Sequence, residues 1–239
     1  TVVYGDHVKQ YLISEGVAPQ RIFTAAHAVD NAKYSRDVAA VEQATLRQQL
    51  KLTKEQKIIL YLGRLEEGKG LEYLLEAFSL LPQGDAVLVF VGTGSLRAKL
   101  EQVAGTYAVE DRVRFLGYMP PEQTVVCYSL AYLFVLPSIT TPVFKEPWGL
   151  VVNEAFNQGV PVIATDAVGA AAGGLVQDGY TGLIVPEKNS IALANAMATL
   201  LKSLPHRDQL GMQAKQVITN WDNEQMVMGF RNAIQSVNN

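Results

Sequence analysis

Short apolar segments that alternate with amphipathic ones constrain the fold of this chain more than any other feature of its sequence. Six apolar segments of four to six residues are rich in β-branched or aromatic side chains, as is typical of strands buried on both faces of a parallel sheet. They lie at 58–62, 86–91, 113–116, 132–136, 160–164 and 182–185. Amphipathic segments separate the first five of them, at 71–81, 96–104, 121–130 and 149–158. The sequence therefore predicts an α/β domain with a doubly wound parallel sheet.

The beginning of the sequence follows a different pattern. Residues 1–4 and 21–24 are predicted as short strands and residues 6–15 as a helix, followed by an irregular stretch through Asn31. A β-α-β piece of this size cannot bury a core of its own. We therefore predict that residues 1–32 are the end of a preceding domain and a linker.

The C-terminal part of the sequence is predicted to be helical from residue 190 onward, with a break at Pro205. We predict that the doubly wound domain covers residues 33–215. The remaining residues, 216–239, are expected to hold a C-terminal helix, at 222–237, that could cross back to the partial first domain.

Composition argues against several classes of partner. The 239 residues carry a formal net charge of −3, so no basic footprint for nucleic acid is expected. The longest apolar runs are far shorter than the roughly 20 residues that a membrane-spanning helix needs. A single cysteine, Cys127, and three scattered histidines do not suggest a metal site. The composition is that of a globular protein with a well-filled core.

A glycine-bearing loop with two cations follows the first strand of the predicted domain, at residues 63–70. Gly63 and its neighbours permit close approach of a ligand, and Arg64 and Lys69 could neutralise phosphate charge without a metal. This pattern favours a diphosphate ligand. The same residues also fit a solvated loop, and the loop alone does not decide between the two.

Two glutamates bracket the start of a predicted helix. Glu146 precedes Pro147 and Gly149, which open the helix, and Glu154 follows one to two turns in. The first carboxylate could accept hydrogen bonds from sugar hydroxyls, beside the free N–H groups of the first helical turn. The second could bind a vicinal diol such as that of ribose. The alternative is that Glu146 only complements the helix dipole and Glu154 is merely exposed.

Taken together and in order, these motifs resemble the retaining GT-B glycosyltransferases of family 4, the group 1 glycosyl transferases. The resemblance spans about residues 56–200 and is carried by the segments 63–70, 112–118, 133–138, 146–154, 159–166 and 178–186. It implies that the chain is the Rossmann-like, C-terminal donor-binding domain of a two-domain enzyme. Residues 1–32 would be the end of the acceptor domain with the interdomain linker.

The resemblance implies a role for three candidate catalytic residues. Arg64 and Lys69 would bind the donor's diphosphate and stabilise the charge that develops on the leaving nucleotide. Glu146 would bind the donor sugar near the reacting carbon. No metal and no cofactor would be required.

A larger set of residues is expected to bind the donor. The backbone N–H groups of residues 148–150 would lie beside Glu146, Glu154 would bind the ribose, and Leu116 and Tyr118 would frame the base through backbone contacts. The complete candidate set is Gly63, Arg64, Lys69, Leu116, Tyr118, Glu146, Trp148, Gly149, Leu150 and Glu154.

As a member of this family, the protein is expected to transfer a sugar with retention, from a nucleoside diphosphate sugar to a glycan or lipid-linked acceptor. UDP is favoured over GDP, and polysaccharide biosynthesis is the expected setting. The acceptor would be held by the missing N-terminal domain, so this fragment is expected to bind the donor without full activity. The expected location is the cytoplasm, where peripheral association with the inner face of the membrane is compatible with the family.

Two other functions stay open. A non-catalytic nucleotide-sugar-binding module would retain Arg64, Lys69 and Glu154, whereas a nucleotide-sugar epimerase of similar architecture would lack the spacing of the two glutamates. A nicotinamide oxidoreductase is disfavoured because the loop at 92–95 lacks the dinucleotide fingerprint. The segments 140–145 and 170–172 depart from the family pattern beside the expected sugar pocket, so the sugar itself is not predicted.

Overall fold

The computed structural model describes residues 1–236, and a six-stranded parallel sheet forms its centre. The strands of this sheet are β3 (Lys57–Leu62), β4 (Ala86–Val91), β5 (Val113–Gly117), β6 (Ala131–Leu136), β7 (Val162–Thr165) and β8 (Gly182–Val185). Their order across the sheet is β5-β4-β3-β6-β7-β8. The predicted doubly wound α/β fold is confirmed.

Helices connect the strands and close the chain. They are α1 (Asp6–Ser14), α2 (Asn31–Tyr34), α3 (Ala40–Gln49), α4 (Leu71–Ser79), α5 (Arg97–Thr106), α6 (Pro121–Leu130), α7 (Val151–Asn157), α8 (Gly169–Ala172), α9 (Ser190–Lys202), α10 (Leu204–Val217) and α11 (Asn223–Gln235). Short 3₁₀ turns lie at Pro19–Arg21, Glu110–Arg112 and Ile218–Asn220. Every residue of β4 is buried, which is the reason that its sequence is apolar without alternation.

The N-terminal segment forms the expected β-α-β piece. Strands β1 (Val2–Val3) and β2 (Phe23–Thr24) pair in parallel, with α1 between them in sequence. Helix α11 packs against both strands. At its closest approach, a Cβ at Gly229 would collide with the backbone oxygen of Thr24. The division into segments 1–32, 33–215 and 216–239 stays a prediction, and residues 237–239 lie outside the described range.

Four local expectations differ from the structure. Strand β7 begins at Val162, because the Val160 N–H donates to the Ala155 oxygen and closes α7 instead. Helix α7 begins at Val151, two residues after Gly149. The helical break falls at Ser203, whereas Pro205 lies in the first turn of α10, where its missing N–H costs no hydrogen bond. Helix α3 was not anticipated, because Leu46 is its single buried residue among the described ones.

The strand order places a switch point between β3 and β6. From β3 the chain proceeds outward through β4 to β5, and from β6 it proceeds outward the other way through β7 to β8. The connections after β3 and β6 therefore diverge and leave a crevice at the carboxyl ends of these two strands. Ligands of open α/β sheets bind at such a crevice.

Candidate functional site

The loop at 63–70 is held against the ends of both neighbouring strands. A Cβ at Gly92 would collide with the Gly63 oxygen, so the loop lies directly against the segment after β4. Gly70 has φ +66°, and a Cβ there would collide with the Pro137 oxygen, in the segment after β6. The loop is therefore inserted into the crevice at the switch point, and these glycines are required by close backbone approach.

Lys69 and Glu146, which the sequence analysis assigned to the same site, form a buried ion pair there. The Lys69 Nζ atom lies 2.5 Å from the Glu146 Oε2 atom. The two side chains are 13% and 8% exposed, respectively. Because few water molecules can reach this pair, its interaction is screened less than that of a surface ion pair. The structure thus brings one predicted diphosphate ligand and the predicted sugar ligand into direct contact.

A turn at residues 140–145 covers this ion pair. Thr141 and Phe144 pair across the turn, and the Phe144 ring lies 4.9 Å from the Lys69 Nζ atom. The ring also packs on Gly68, where a Cβ would have no room. This turn is one of the two segments that depart from the family pattern, and it borders the candidate site.

Arg64, the second predicted diphosphate ligand, is exposed at the end of β3. Among the described residues its guanidinium has no ion-pair partner, whereas its backbone oxygen accepts a hydrogen bond from the Tyr61 hydroxyl at 2.8 Å. Burial raises the pKa of Tyr61, and the nearby Glu146 charge raises it further. The hydroxyl therefore stays protonated and holds the Arg64 backbone, which leaves the guanidinium open to an anionic ligand.

The segment 148–150 contributes through its backbone. The Trp148 side chain is buried in an aromatic cluster of Tyr4, His7, His27, Trp148 and Trp221, in which the other ring centroids lie 5.3 to 6.4 Å from that of Trp148. Its Nε1 atom donates to the Asn153 Oδ1 atom at 2.9 Å. Gly149 has φ +92° and packs against Leu136, while Leu150 is 38% exposed.

The backbone N–H groups of residues 148–150 precede α7 and donate to no acceptor among the described residues. Their binding to an anion or a sugar oxygen stays a prediction.

Glu154 lies apart from the ion pair, between three helices. Its Oε2 atom accepts a hydrogen bond from the Tyr128 hydroxyl at 2.7 Å, and the Tyr34 hydroxyl also contacts the carboxylate. Burial raises the pKa of Glu154, while the two tyrosine hydroxyls and the charge of Lys33 oppose this rise. Glu154 is half-buried rather than merely exposed. Its assignment to ribose stays a prediction.

The raised pKa of Glu154 makes a prediction about pH. The folded protein retains the Glu154 proton to a higher pH than the unfolded chain, in which the pKa of this carboxyl is near 4.5. Above this pH the carboxyl ionises more readily in the unfolded chain than in the folded protein. The free energy of unfolding therefore falls as the pH rises. Glu154→Gln lacks this loss, so we expect its stability relative to the parent protein to increase as the pH rises above about 4.5. Urea denaturation of both proteins at several pH values measures the difference, and a difference that is constant with pH would contradict the prediction.

Leu116 and Tyr118, the predicted base contacts, lie at the carboxyl end of β5. The Gly92 N–H donates to the Gly117 oxygen at 2.7 Å, which ties this end to the segment after β4. Leu116 is half-buried, whereas Tyr118 is 72% exposed. These residues therefore lie on the same edge of the sheet as Arg64 and Glu146, two strands away from the ion pair.

Three residues that were not predicted from the sequence contact the predicted ones. Ser138 donates to Glu146, Tyr128 donates to Glu154, and Phe144 covers Lys69. Ser138 could have been singled out, because it follows β6 at the edge where ligands bind. Tyr128 and Phe144 carried no such signal, since aromatic residues in apolar surroundings are usually core residues.

Within 1–236 no three His, Cys, Asp or Glu side chains are grouped so that they could hold a metal ion. No helix in that range combines the length and apolar character that crossing a membrane requires.

Known proteins resemble this chain in both sequence and fold. Residues 42–217 match the family model described as glycosyl transferases group 1. Alpha-D-kanosaminyltransferase of Streptomyces kanamyceticus is 32% identical over 197 residues, which are 82% of this chain and 49% of that protein. D-inositol 3-phosphate glycosyltransferase of Corynebacterium diphtheriae is 34% identical over 176 residues, which are 69% of this chain and 39% of that protein. The matched residues therefore span less than half the length of these two relatives.

A solved structure shares the fold. The crystal structure of Anabaena Alr3699/HepE in complex with UDP superposes with a TM-score of 0.86 at 22% sequence identity. The superposition covers 98% of this chain and 63% of that one. At this identity, the similarity shows the fold alone.

Proposed function

This chain belongs to the glycosyl transferases group 1 family, and we propose that its part in the reaction is to bind the nucleotide-sugar donor. The complete protein would transfer the sugar, with retention, to a glycan or lipid-linked acceptor, in polysaccharide biosynthesis and on the cytoplasmic side of the membrane. The acceptor would be held by a further domain. One observation carries the proposal: a buried Lys69–Glu146 pair, with an exposed Arg64 near it, lies at the switch point of the sheet.

The charges at the switch point suit a donor that has a diphosphate and a sugar. Arg64 and Lys69 supply positive charge where the leaving nucleoside diphosphate would accumulate negative charge, which lowers the barrier to bond cleavage. Glu146 supplies an acceptor for sugar hydroxyls beside them. The free N–H groups of residues 148–150 add donors on the same side. In this arrangement the protein's cations take the role that a metal has in other transferases.

Uracil is the proposed base, and ribose the proposed ligand of Glu154. The complex of the HepE structure with UDP supports the choice of UDP, since that protein has the same fold. At the carboxyl end of β5, Leu116 and Tyr118 can offer backbone groups to the edge of a base. These assignments leave the sugar and the acceptor open.

Isothermal titration of this chain with UDP, GDP and ADP, in the presence of EDTA, tests the proposal. We expect UDP to bind without metal, and Arg64→Ala to weaken binding about tenfold or more, because a charge-assisted contact with phosphate is lost. Arg231→Ala is the matched control, since Arg231 is an exposed arginine on α11. Equal binding by the Arg64 and Arg231 variants would contradict the placement of the diphosphate.

A further inference from the structure

Ser138 is a buried hydroxyl at the centre of the candidate site. It lies two residues after the end of β6, and its side chain is fully buried. Its Oγ atom donates a hydrogen bond to the Glu146 Oε2 atom at 2.8 Å. A hydrogen bond from a neutral donor to a buried carboxylate contributes more to stability than one between two neutral groups, because one partner is charged.

Three contacts fix the backbone around Ser138. Gly70 packs against the oxygen of Pro137, and the Ile139 N–H donates to the Gly68 oxygen at 2.8 Å. The Thr165 hydroxyl, at the end of β7, donates to the backbone oxygen of Ser138. The neighbouring strand β7 and the loop at 63–70 therefore hold this residue. Its hydroxyl has a defined position before any ligand arrives, which is the condition for accurate positioning of a second group.

The hydrogen bonds of Glu146 are divided unequally between its two oxygens. Lys69 and Ser138 both bond to Oε2, whereas Oε1 accepts no hydrogen bond from the described residues. The rotamer of the carboxylate is thus set by Oε2, and Oε1 stays available to a ligand. We propose that Ser138 is a positioning residue, which holds Glu146 so that Oε1 can accept hydrogen bonds from the donor sugar. This inference rests on the proposed function.

Ser138 gains importance when the donor binds. Lys69 must serve the diphosphate and Glu146 at the same time, and an ammonium group with three donors on a flexible stem can turn toward the new anion. The contact of Lys69 with Glu146 then weakens. Ser138 carries no charge and is attracted to phosphate less strongly, so it keeps Oε2 in place while Lys69 turns. The two donors to Oε2 therefore have different roles.

The test compares nucleotide with nucleotide sugar. Ser138→Ala removes the hydroxyl with little change in volume, and UDP and UDP-glucose are titrated against the variant and the parent chain, with GDP and GDP-mannose as a second pair. We expect the dissociation constant of UDP to stay within about twofold and that of the sugar conjugate to rise about tenfold, the size of one hydrogen bond to a charged group. A purely structural role would weaken both ligands together.

Ser190→Ala is the matched control. Ser190 is also buried, and its hydroxyl donates to the carboxylate of Glu76, on α4, at 2.6 Å. It therefore reproduces the loss of a serine–glutamate hydrogen bond in which neither Glu146 nor Lys69 takes part. We expect it to leave the ratio of the two dissociation constants unchanged. The proposal is overturned if Ser138→Ala leaves the ratio unchanged, or if Ser190→Ala alters it equally.

A second measurement separates this inference from the proposed function. If the parent chain binds none of these nucleotides, the donor-binding proposal fails, and the crystal structure of the unliganded Ser138→Ala variant decides the role of Ser138. A Glu146 carboxylate that occupies a second rotamer in the variant supports positioning by Ser138. A carboxylate in its original place overturns it.

Discussion

Replacing Lys69 with methionine is expected to lower the free energy of unfolding by about 3 kcal/mol, because it leaves the buried Glu146 carboxylate without its cation. Methionine retains most of the length of the side chain, so the change removes the charge rather than the packing. The Ser138 hydroxyl still donates to Glu146, which places the cost at the lower end of the values measured for broken buried pairs. Urea denaturation followed by circular dichroism measures the loss.

A double mutant shows whether the loss comes from the unpaired charge. Lys69→Met combined with Glu146→Gln removes both charges, and we expect it to recover most of the stability, since a neutral pair of similar volume can replace a buried ion pair at little cost. If the double mutant is as unstable as the sum of the two single ones, the two side chains do not interact as described. Both variants with Lys69→Met should lose nucleotide binding, because the proposed diphosphate site loses a cation in each of them.

Trp148→Ala is expected to lower the free energy of unfolding by about 4 kcal/mol, which is typical of removing a large aromatic side chain from a core. The cluster around Trp148 contains rings from the N-terminal segment, Tyr4, His7 and His27, and Trp221 from the approach to α11. Removing the central ring therefore loosens the attachment of β1, β2 and α11 to the main sheet. Circular dichroism in urea measures the stability, and hydrogen exchange of the β1 and β2 amides reports the attachment.

Trp148→Phe is the matched control for that prediction. Phenylalanine retains an aromatic ring but cannot donate to the Asn153 Oδ1 atom, so an unsatisfied buried acceptor costs about 1 to 2 kcal/mol. Exchange of the N-terminal amides should then stay close to that of the parent chain. If alanine and phenylalanine are equally destabilising, the ring contributes little beyond its hydrogen bond. If alanine leaves the N-terminal exchange unchanged, the cluster does not attach this segment.

Prediction from sequence succeeded best for short apolar runs with clear ends. Strands β4 and β8 lie where the sequence analysis placed them, because each is a short apolar run that ends at polar or glycine residues. Helix α3 was missed for the opposite reason, since Leu46 is its single buried residue and its sequence has no strong apolar face. Strand β7 was placed two residues early, because Val160 is apolar whether it extends a strand or closes a helix.

The residues of the candidate site also divide into those that a local sequence pattern reveals and those that it does not. The cations at Arg64 and Lys69 and the spacing of Glu146 and Glu154 could be recognised along the chain, since they stand at strand ends and at a helix start. The partners of these residues could not be recognised in this way. The hydroxyl of Tyr128, on α6, donates to Glu154, on α7. Phe144 contacts Lys69 because a turn folds over the loop at 63–70.

The sequence by itself determined the layered architecture and the residue types at its ligand-binding edge, because hydrophobic periodicity and glycine position act over a few neighbouring residues. Only the tertiary structure decided which of those residues meet. Lys69 and Glu146 are separated by 77 positions in the chain, and they pair because β3 and β6 are adjacent at the switch point. Contacts of that range depend on strand order and on the side-chain rotamers that the packed core allows, and neither is encoded in any short stretch of sequence.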